Sequence, residues 1–369
     1  MAQAYKQAKR RSRSLESTNI RQQNINQSFL SVFLVMPYGL CENLSSVMTS
    51  LIHADSVNEI TSAYERIRDI VRETPVEQSR YLTLLANCEV LLKLEHLQHT
   101  GSFKFRGAVS KITSLSNAQL RNGVVAASMG NHGLAVARAA QMRGVPAEIY
   151  LPKIVSPSKA QMIESFGARV IFYGDNCIHA ETRARNVAKE TGNIFVSPYN
   201  DLKVIAGQGT IGVELLRQLP AVKSVYVACG GGGLIAGIGT YLKAMNPEIE
   251  IVGCWPENSR VLYESLRAGR ILDFPEQPTY SESTAGGIEQ DSITLPICKE
   301  VIDRFVLVSE TEIRDAMRML LAQEHWLVEG AAGVAAAAFL KGHKRHQGEQ
   351  VAILLCGRNI SQEVLAALC

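Results

Sequence analysis

Residues 98–108, QHTGSFKFRGA, set one lysine, Lys104, between Phe103 and Phe105, with glycines at 101 and 107. A solvated lysine holds its proton up to about pH 10.4. Burial against aromatic rings shifts that balance toward the free amine, which is both nucleophile and base. The stretch by itself leaves a plain surface lysine equally open, so the rest of the chain must supply the context.

The most explicit companion is ACGGGGLIAGIG, residues 228–239. A run of strand-forming residues ends at Cys229, then come Gly230, Gly231, Gly232 and Gly233, and a helical pattern starts near Leu234. Four residues without side chains let backbone N–H groups converge on an anion, and the new helix adds its positive end. That is a phosphate cup. A dinucleotide fingerprint competes, because Gly231, Gly233 and Ala236 fit G-x-G-x-x-A. The acidic residue it wants after the next strand is here Trp255, with Glu257 two positions on.

The turn SMGNHG, 128–133, stands where another strand meets a helix. Ser128, Asn131 and His132 there either receive a carboxylate or merely cap the helix. CGRNIS, 356–361, ends a third strand, and Cys356 either faces the same cleft or is a small buried thiol. An amine, a phosphate cup, a carboxylate-sized helix start and a strand-end polar group together suit one cofactor. That cofactor is pyridoxal 5′-phosphate (PLP), with its aldehyde, its phosphate and a ring carrying two polar atoms.

The elements that must position these groups alternate along the chain. Strand-like runs at 123–128, 147–151, 168–173, 224–229, 250–255, 304–309 and 351–356 are separated by helical patterns such as 131–144, 158–167, 177–192 and 234–245. This alternation predicts an α/β fold with parallel sheets. A helix over 57–74, ending before Pro75, precedes them. The run 116–203, flanked by the loop-like SLSNAQLRNG and SPYNDLKV, reads as a small domain, and 56–115 with 204–369 as a large PLP-binding domain.

Composition narrows the class further. The 369 residues are 46% hydrophobic and 20% charged, as in ordinary globular proteins. Six Lys and Arg among residues 1–41 face only Glu16, so that end carries +5 and the remainder −2, with no basic face for nucleic acid. The eight cysteines lack any C-x-x-C pair, which points to reduced thiols in a cytoplasmic protein with no structural metal. Residues 1–55 read as an extension outside the fold: a disordered segment, a start set upstream of Met48, or a transit peptide. The apolar run at 29–41 is too short to span a bilayer.

From about residue 58 onward the chain resembles the fold-type II PLP enzymes of the serine/threonine dehydratase family. The likeness rests on RETPVEQSRYL, KLEHLQHTGSFKFRGA, SMGNHG, PYNDLKVIAGQGTIGVELL, ACGGGGLIAGI, VEGAAGVAAAA and CGRNIS, in that order. It implies two doubly wound parallel-sheet domains similar to the tryptophan synthase β chain. Lys104 would hold the cofactor as a Schiff base and then take the substrate α-proton. Phe103 would pack by the ring, Asn131 contact O3′, Gly230 to Gly233 hold the phosphate and Cys356 face the pyridine nitrogen. Ser128, Asn131, His132 and Thr100 would hold the substrate carboxylate.

The implied reaction is elimination of water from L-threonine or L-serine, giving 2-oxobutyrate or pyruvate and ammonia. A serine racemase, a dehydratase of another β-hydroxy amino acid, and a non-catalytic PLP-binding protein are the alternatives. Several departures sharpen this. Met129 replaces the serine of racemising members, which implies weak racemisation. WPENSRV at 255–261 replaces a cation-binding E-P-S-N-A-D-D, with Trp255 and Val261 where carboxylates would stand, so no cation site is expected. No regulatory domain follows CGRNIS, so isoleucine feedback is not expected. Around the lysine, TGSFKFRGA differs from the TGSVKDR of O-acetylserine sulfhydrylases. The family also implies a homodimer or tetramer, and substrate side-chain contacts fall in loops including 283–292.

Overall fold

The computed structural model describes residues 55–128, 130–155 and 157–368. The expectations for Met129 and for the N-terminal extension fall outside that set, apart from Asp55, which opens the first helix. In chain order the elements are α1 (55–67), β1 (Val76–Gln78), α2 (Arg80–Ala86), β2 (Glu89–Lys93), α3 (Lys104–Ser114), β3 (Val124–Ala127), α4 (Asn131–Arg143), β4 (Ala147–Leu151) and α5 (Pro157–Glu164). Next come β5 (Arg169–Phe172), α6 (Cys177–Thr191), β6 (Ile194–Phe195), α7 (Leu202–Gln218), β7 (Ser224–Ala228), α8 (Gly233–Met245) and β8 (Glu250–Pro256). The last are α9 (Val261–Ala268), α10 (Thr294–Val301), β9 (Arg304–Val308), α11 (Glu310–Gln323), α12 (Gly330–Gly342), β10 (Gln350–Leu354) and α13 (Gln362–Leu368).

The strands form two sheets. One has six strands in the order β1-β2-β10-β7-β8-β9, and the other four in the order β5-β4-β3-β6. All neighbours run parallel except β1 and β2. Every residue of β3 and β7 is buried, as expected of parallel strands covered by helices on both faces. Their Val, Ala and Tyr side chains therefore read as continuous apolar runs rather than alternating ones.

The alternating pattern is thus present, with three differences. α1 stops at residue 67, well short of Pro75, and a turn at 68–70 leads into irregular chain. The stretch SPYNDLKV, read as loop, already enters α7 at Leu202, because Asp201 caps it by accepting from Lys203 N (2.8 Å) and Val204 N (3.2 Å). A polar cap looks like a loop when only composition is weighed. The short strands β1, β2 and β6 were not anticipated. Each proposed site motif nevertheless follows a parallel strand: 128–133 follows β3, 229–233 follows β7 and 356–361 follows β10. In open α/β sheets this carboxyl edge is where ligands bind.

Candidate active site

Helix α3 begins at Lys104, so the amine stands at the helix's positive end, which disfavours a cation. Nζ donates to Pro198 O at 2.8 Å and lies 5.2 Å from the centre of the Phe103 ring. Burial lowers the amine from its ordinary 10.5 to about 8, with Cys356 and Glu329 opposing that shift only in part. Residues 101–103 are tied to 356–358: Phe103 N donates to Cys356 O (3.0 Å) and Arg358 N to Gly101 O (2.9 Å). The thiol of Cys356 is buried and pushed up by desolvation, then by Glu329, so it stays protonated and neutral.

A buried charge network holds the first turn of α3 in place. Arg106 Nε and Nη2 donate to the two oxygens of Glu95, each at 2.8 Å. Nη1 and Nη2 donate to the two oxygens of Glu214 on α7, at 2.6 and 2.8 Å. Lys93 at the end of β2 adds a third cationic contact, Nζ to Glu214 Oε2 at 2.6 Å. Two cations balance two carboxylates with all charges hydrogen-bonded, the condition under which buried charge is tolerated. Removing one partner would strand the others, so Lys104, two residues from Arg106, is rigidly seated.

Residues 230–233 form a tight turn between β7 and α8. Gly232 adopts φ +85° as the residue before α8, a conformation that favours glycine. A Cβ on Gly231 would sit 2.5 Å from the ring of Tyr199, and one on Gly230 2.8 Å from Thr284 O. Tyr199 and residues 281–294 therefore wall the cup, and Thr294 Oγ1 fixes it by donating to Gly231 O at 2.7 Å.

Asn131 opens α4 and is almost fully buried. Its Nδ2 donates to both oxygens of Glu329, at 2.9 Å each, and its Oδ1 accepts from Asn359 Nδ2 at 2.5 Å. Glu329 also accepts from Ser283 Oγ (2.7 Å) and Asn359 N (3.2 Å). Burial raises its pKa, and the bonds from Asn131, Ser283 and Asn359 act against that. The donors converging on one carboxylate favour the ionised form in which it can accept them all. His132 Nε2 lies 2.8 Å from Val196 O, and burial followed by the charge of Lys104 lowers its pKa to about 3, so the ring is neutral. Ser128 Oγ accepts from Gly130 N at 2.9 Å, a local bond just ahead of α4. Thr100 Oγ1 is buried with no protein partner, and so is Ser102 Oγ.

Glu329, Asn359, Ser102 and Tyr199 were not singled out from the sequence. Glu329 was legible in part: it is the charged residue ahead of the alanine-rich run 331–338, where it takes the N-cap position but gives its carboxylate to Asn131. Trp255 is buried and stacked on Phe305, rings 5.6 Å apart and 9° from parallel. Among the described residues no three His, Cys, Asp or Glu cluster as metal ligands, and no helix is long and apolar enough to cross a membrane.

The donor set fits PLP on its own terms. An amine biased toward its free form, a cradle with no room for side chains, and buried hydroxyls awaiting an acceptor converge at one strand edge. Residues 67–357 match the family model described as pyridoxal-phosphate dependent enzyme. The chain belongs to that family. The enzyme is 40% identical over 310 residues to an L-threonine ammonia-lyase of Thermotoga maritima, covering 84% of this chain and 77% of the relative. Its structure is similar to the processed threonine deaminase isoform 2 of Solanum lycopersicum, with TM-score 0.82 and 29% identity over 86% of this chain and 93% of that one. It is also similar to maize serine racemase, with TM-score 0.80 and 32% identity over 84% and 95% of the two chains. The α/β, fold-type II architecture and PLP dependence are therefore established.

Proposed function

We propose that this enzyme is an L-threonine/L-serine ammonia-lyase, converting its substrate to 2-oxobutyrate or pyruvate and ammonia. The observation that carries the reading is the buried Lys104 amine, seated on Pro198 O next to Tyr199, in a chain 40% identical to an L-threonine ammonia-lyase. Bound PLP supplies a carbonyl for the substrate amine and a ring that accepts electron density from the α-carbon. The residues 230–233 would hold its phosphate, Phe103 would pack by its ring, and Asn131, oriented by Glu329 and Asn359, would direct an amide N–H at its O3′. The neutral Cys356 thiol would face the ring nitrogen and leave it without a full charge.

Thr100 Oγ1 and Ser102 Oγ would donate to the substrate carboxylate, with Ser128, Asn131 and His132 beside it. A free Lys104 amine with a pKa of about 8 is well matched to taking the α-proton at physiological pH. The β-hydroxyl then leaves as water once protonated. The released enamine takes up that water equivalent and yields the 2-oxo acid and ammonia, so no oxidant or reductant is consumed. His132, neutral and engaged by Val196 O, serves the turn rather than proton transfer.

The likeness to maize serine racemase favours a second reading. It is weaker because residue 129 is methionine, which has no proton to give to the opposite face of the substrate. We take 116–203 as a small domain closing on the large one (56–115 and 204–369), in a cytoplasmic homodimer or tetramer. The test is 2-oxo acid release across L-serine, L-threonine, 3-hydroxyaspartate and phenylserine, with D-serine assayed in parallel. Product from L-threonine and L-serine without matching D-serine supports the lyase. Silence across the panel, or D-serine formed as fast as pyruvate, overturns it.

A further inference from the structure

Residues 281–294, which wall the glycine cup, are tied by charge to a helix of the four-stranded sheet. Glu289 is the centre of that tie. Its Oε1 lies 2.7 Å from Arg185 Nη2 on α6, its Oε2 accepts from Asn200 Nδ2 at 2.9 Å, and its N–H donates to Tyr199 Oη at 3.0 Å. Arg185 is aimed from two sides, by Glu181 one turn earlier (2.8 Å) and by the face of Phe195 on β6, 4.1 Å from its centre.

From Glu289 two short routes lead into the cup. One is Tyr199, whose ring is pressed against Gly231 and whose backbone lies against Gly233. The other runs through Asn200 Oδ1, which accepts from Ile293 N at 2.9 Å, to the adjoining Thr294 and its bond to Gly231 O. The same segment reaches the catalytic amine, since Pro198 O accepts from Lys104. An isolated exposed ion pair would contribute little. This one is partly buried and continues into fixed hydrogen bonds on both sides, so its loss reaches the cup. A second pair between α5 and the same loop, Lys159 with Glu282 at 3.6 Å, ends on a more exposed carboxylate.

We propose that Arg185 and Glu289 are positioning residues for the phosphate cup, coupling the seat of α6 to the enzyme's affinity for the phosphate of PLP. This rests on the cofactor assignment above. Such coupling is reciprocal: a phosphate that favours the ordered cup also favours the Arg185 contact. No chemical step passes through either residue.

The test strips PLP from wild type, R185Q, E289Q, the double variant and K159Q. PLP is titrated back while following the long-wavelength absorbance it gains on joining the lysine, and inorganic phosphate is used as a competitor. Each single variant should raise the Kd for PLP about three- to tenfold and weaken phosphate competition in parallel. The double variant should lose no more than either single, as expected when both act through one contact. K159Q should stay within about twofold of wild type. Unchanged affinity in R185Q and E289Q, additive losses in the double, or a lowered PLP affinity with normal phosphate competition would each overturn the proposal. A wild type that never gains the absorbance would instead overturn the cofactor assignment beneath it.

Discussion

Replacing Lys104 with methionine should stabilise the apoprotein while abolishing activity. Methionine keeps most of the aliphatic stem and removes the amine. Burial displaces that amine from 10.5 to about 8, so the folded protein holds its proton less tightly than the unfolded chain does. The displacement is equivalent to about 3 kcal/mol at pH 7, where the unfolded lysine is charged and the folded site resists the charge. Losing the bond to Pro198 O offsets about 1 kcal/mol of that gain. The net expectation is about 2 kcal/mol in favour of K104M.

The sign follows from proton counting. Between about pH 8 and 10.5 the unfolded chain binds more protons than the folded one, so the wild-type apoprotein gains stability as pH rises through that window. K104M has no such group and lacks the gain. Urea unfolding of both apoproteins should therefore show the variant more stable at pH 7 and no better than wild type at the upper end of the window. A K104M protein less stable at pH 7, or a difference that does not change with pH, would refute the reasoning.

Four further outcomes are expected. The apoprotein's Lys104 should react with an amine-selective acylating reagent with a midpoint near pH 8, and a midpoint above 10 would contradict its buried setting. E329Q should lower kcat about 10- to 100-fold with little change in KM, because one acceptor oxygen becomes a donor facing those of Asn131, Ser283 and Asn359; steady-state kinetics within twofold of wild type would rule this out. G231A places a Cβ 2.5 Å from the Tyr199 ring and should raise the Kd for PLP more than tenfold, read by equilibrium titration. Exhaustive treatment with a chelator should leave turnover unchanged, since Trp255 fills the place where a carboxylate was sought; activity lost to the chelator and restored by a divalent cation would contradict that.

Much of the architecture could be read before the fold was seen, because parallel βα units write their period into the chain. The runs at 147–151 and 177–192 coincide with β4 and α6 to within a residue. The glycine cup was equally visible, as four consecutive glycines after a buried strand have few other uses. Ser102, Glu329 and Asn359 were harder for a common reason. Their roles come from contacts between segments 198 to 259 residues apart, such as Asn131 with Glu329 and Thr100 with Asn359, which spacing along the chain cannot encode. Tyr199 was hidden differently: its ring matters for the space it fills beside Gly231, and any aromatic residue in a loop looks alike in sequence.

The most direct test of the central claim is 2-oxobutyrate formed from L-threonine by PLP-loaded wild type and K104A at matched protein concentration. The account predicts sustained release of 2-oxobutyrate and ammonia in equal amounts by wild type, and none above the PLP-only background by K104A. Equal turnover by K104A, or no 2-oxo acid from a wild type that binds PLP, would contradict it.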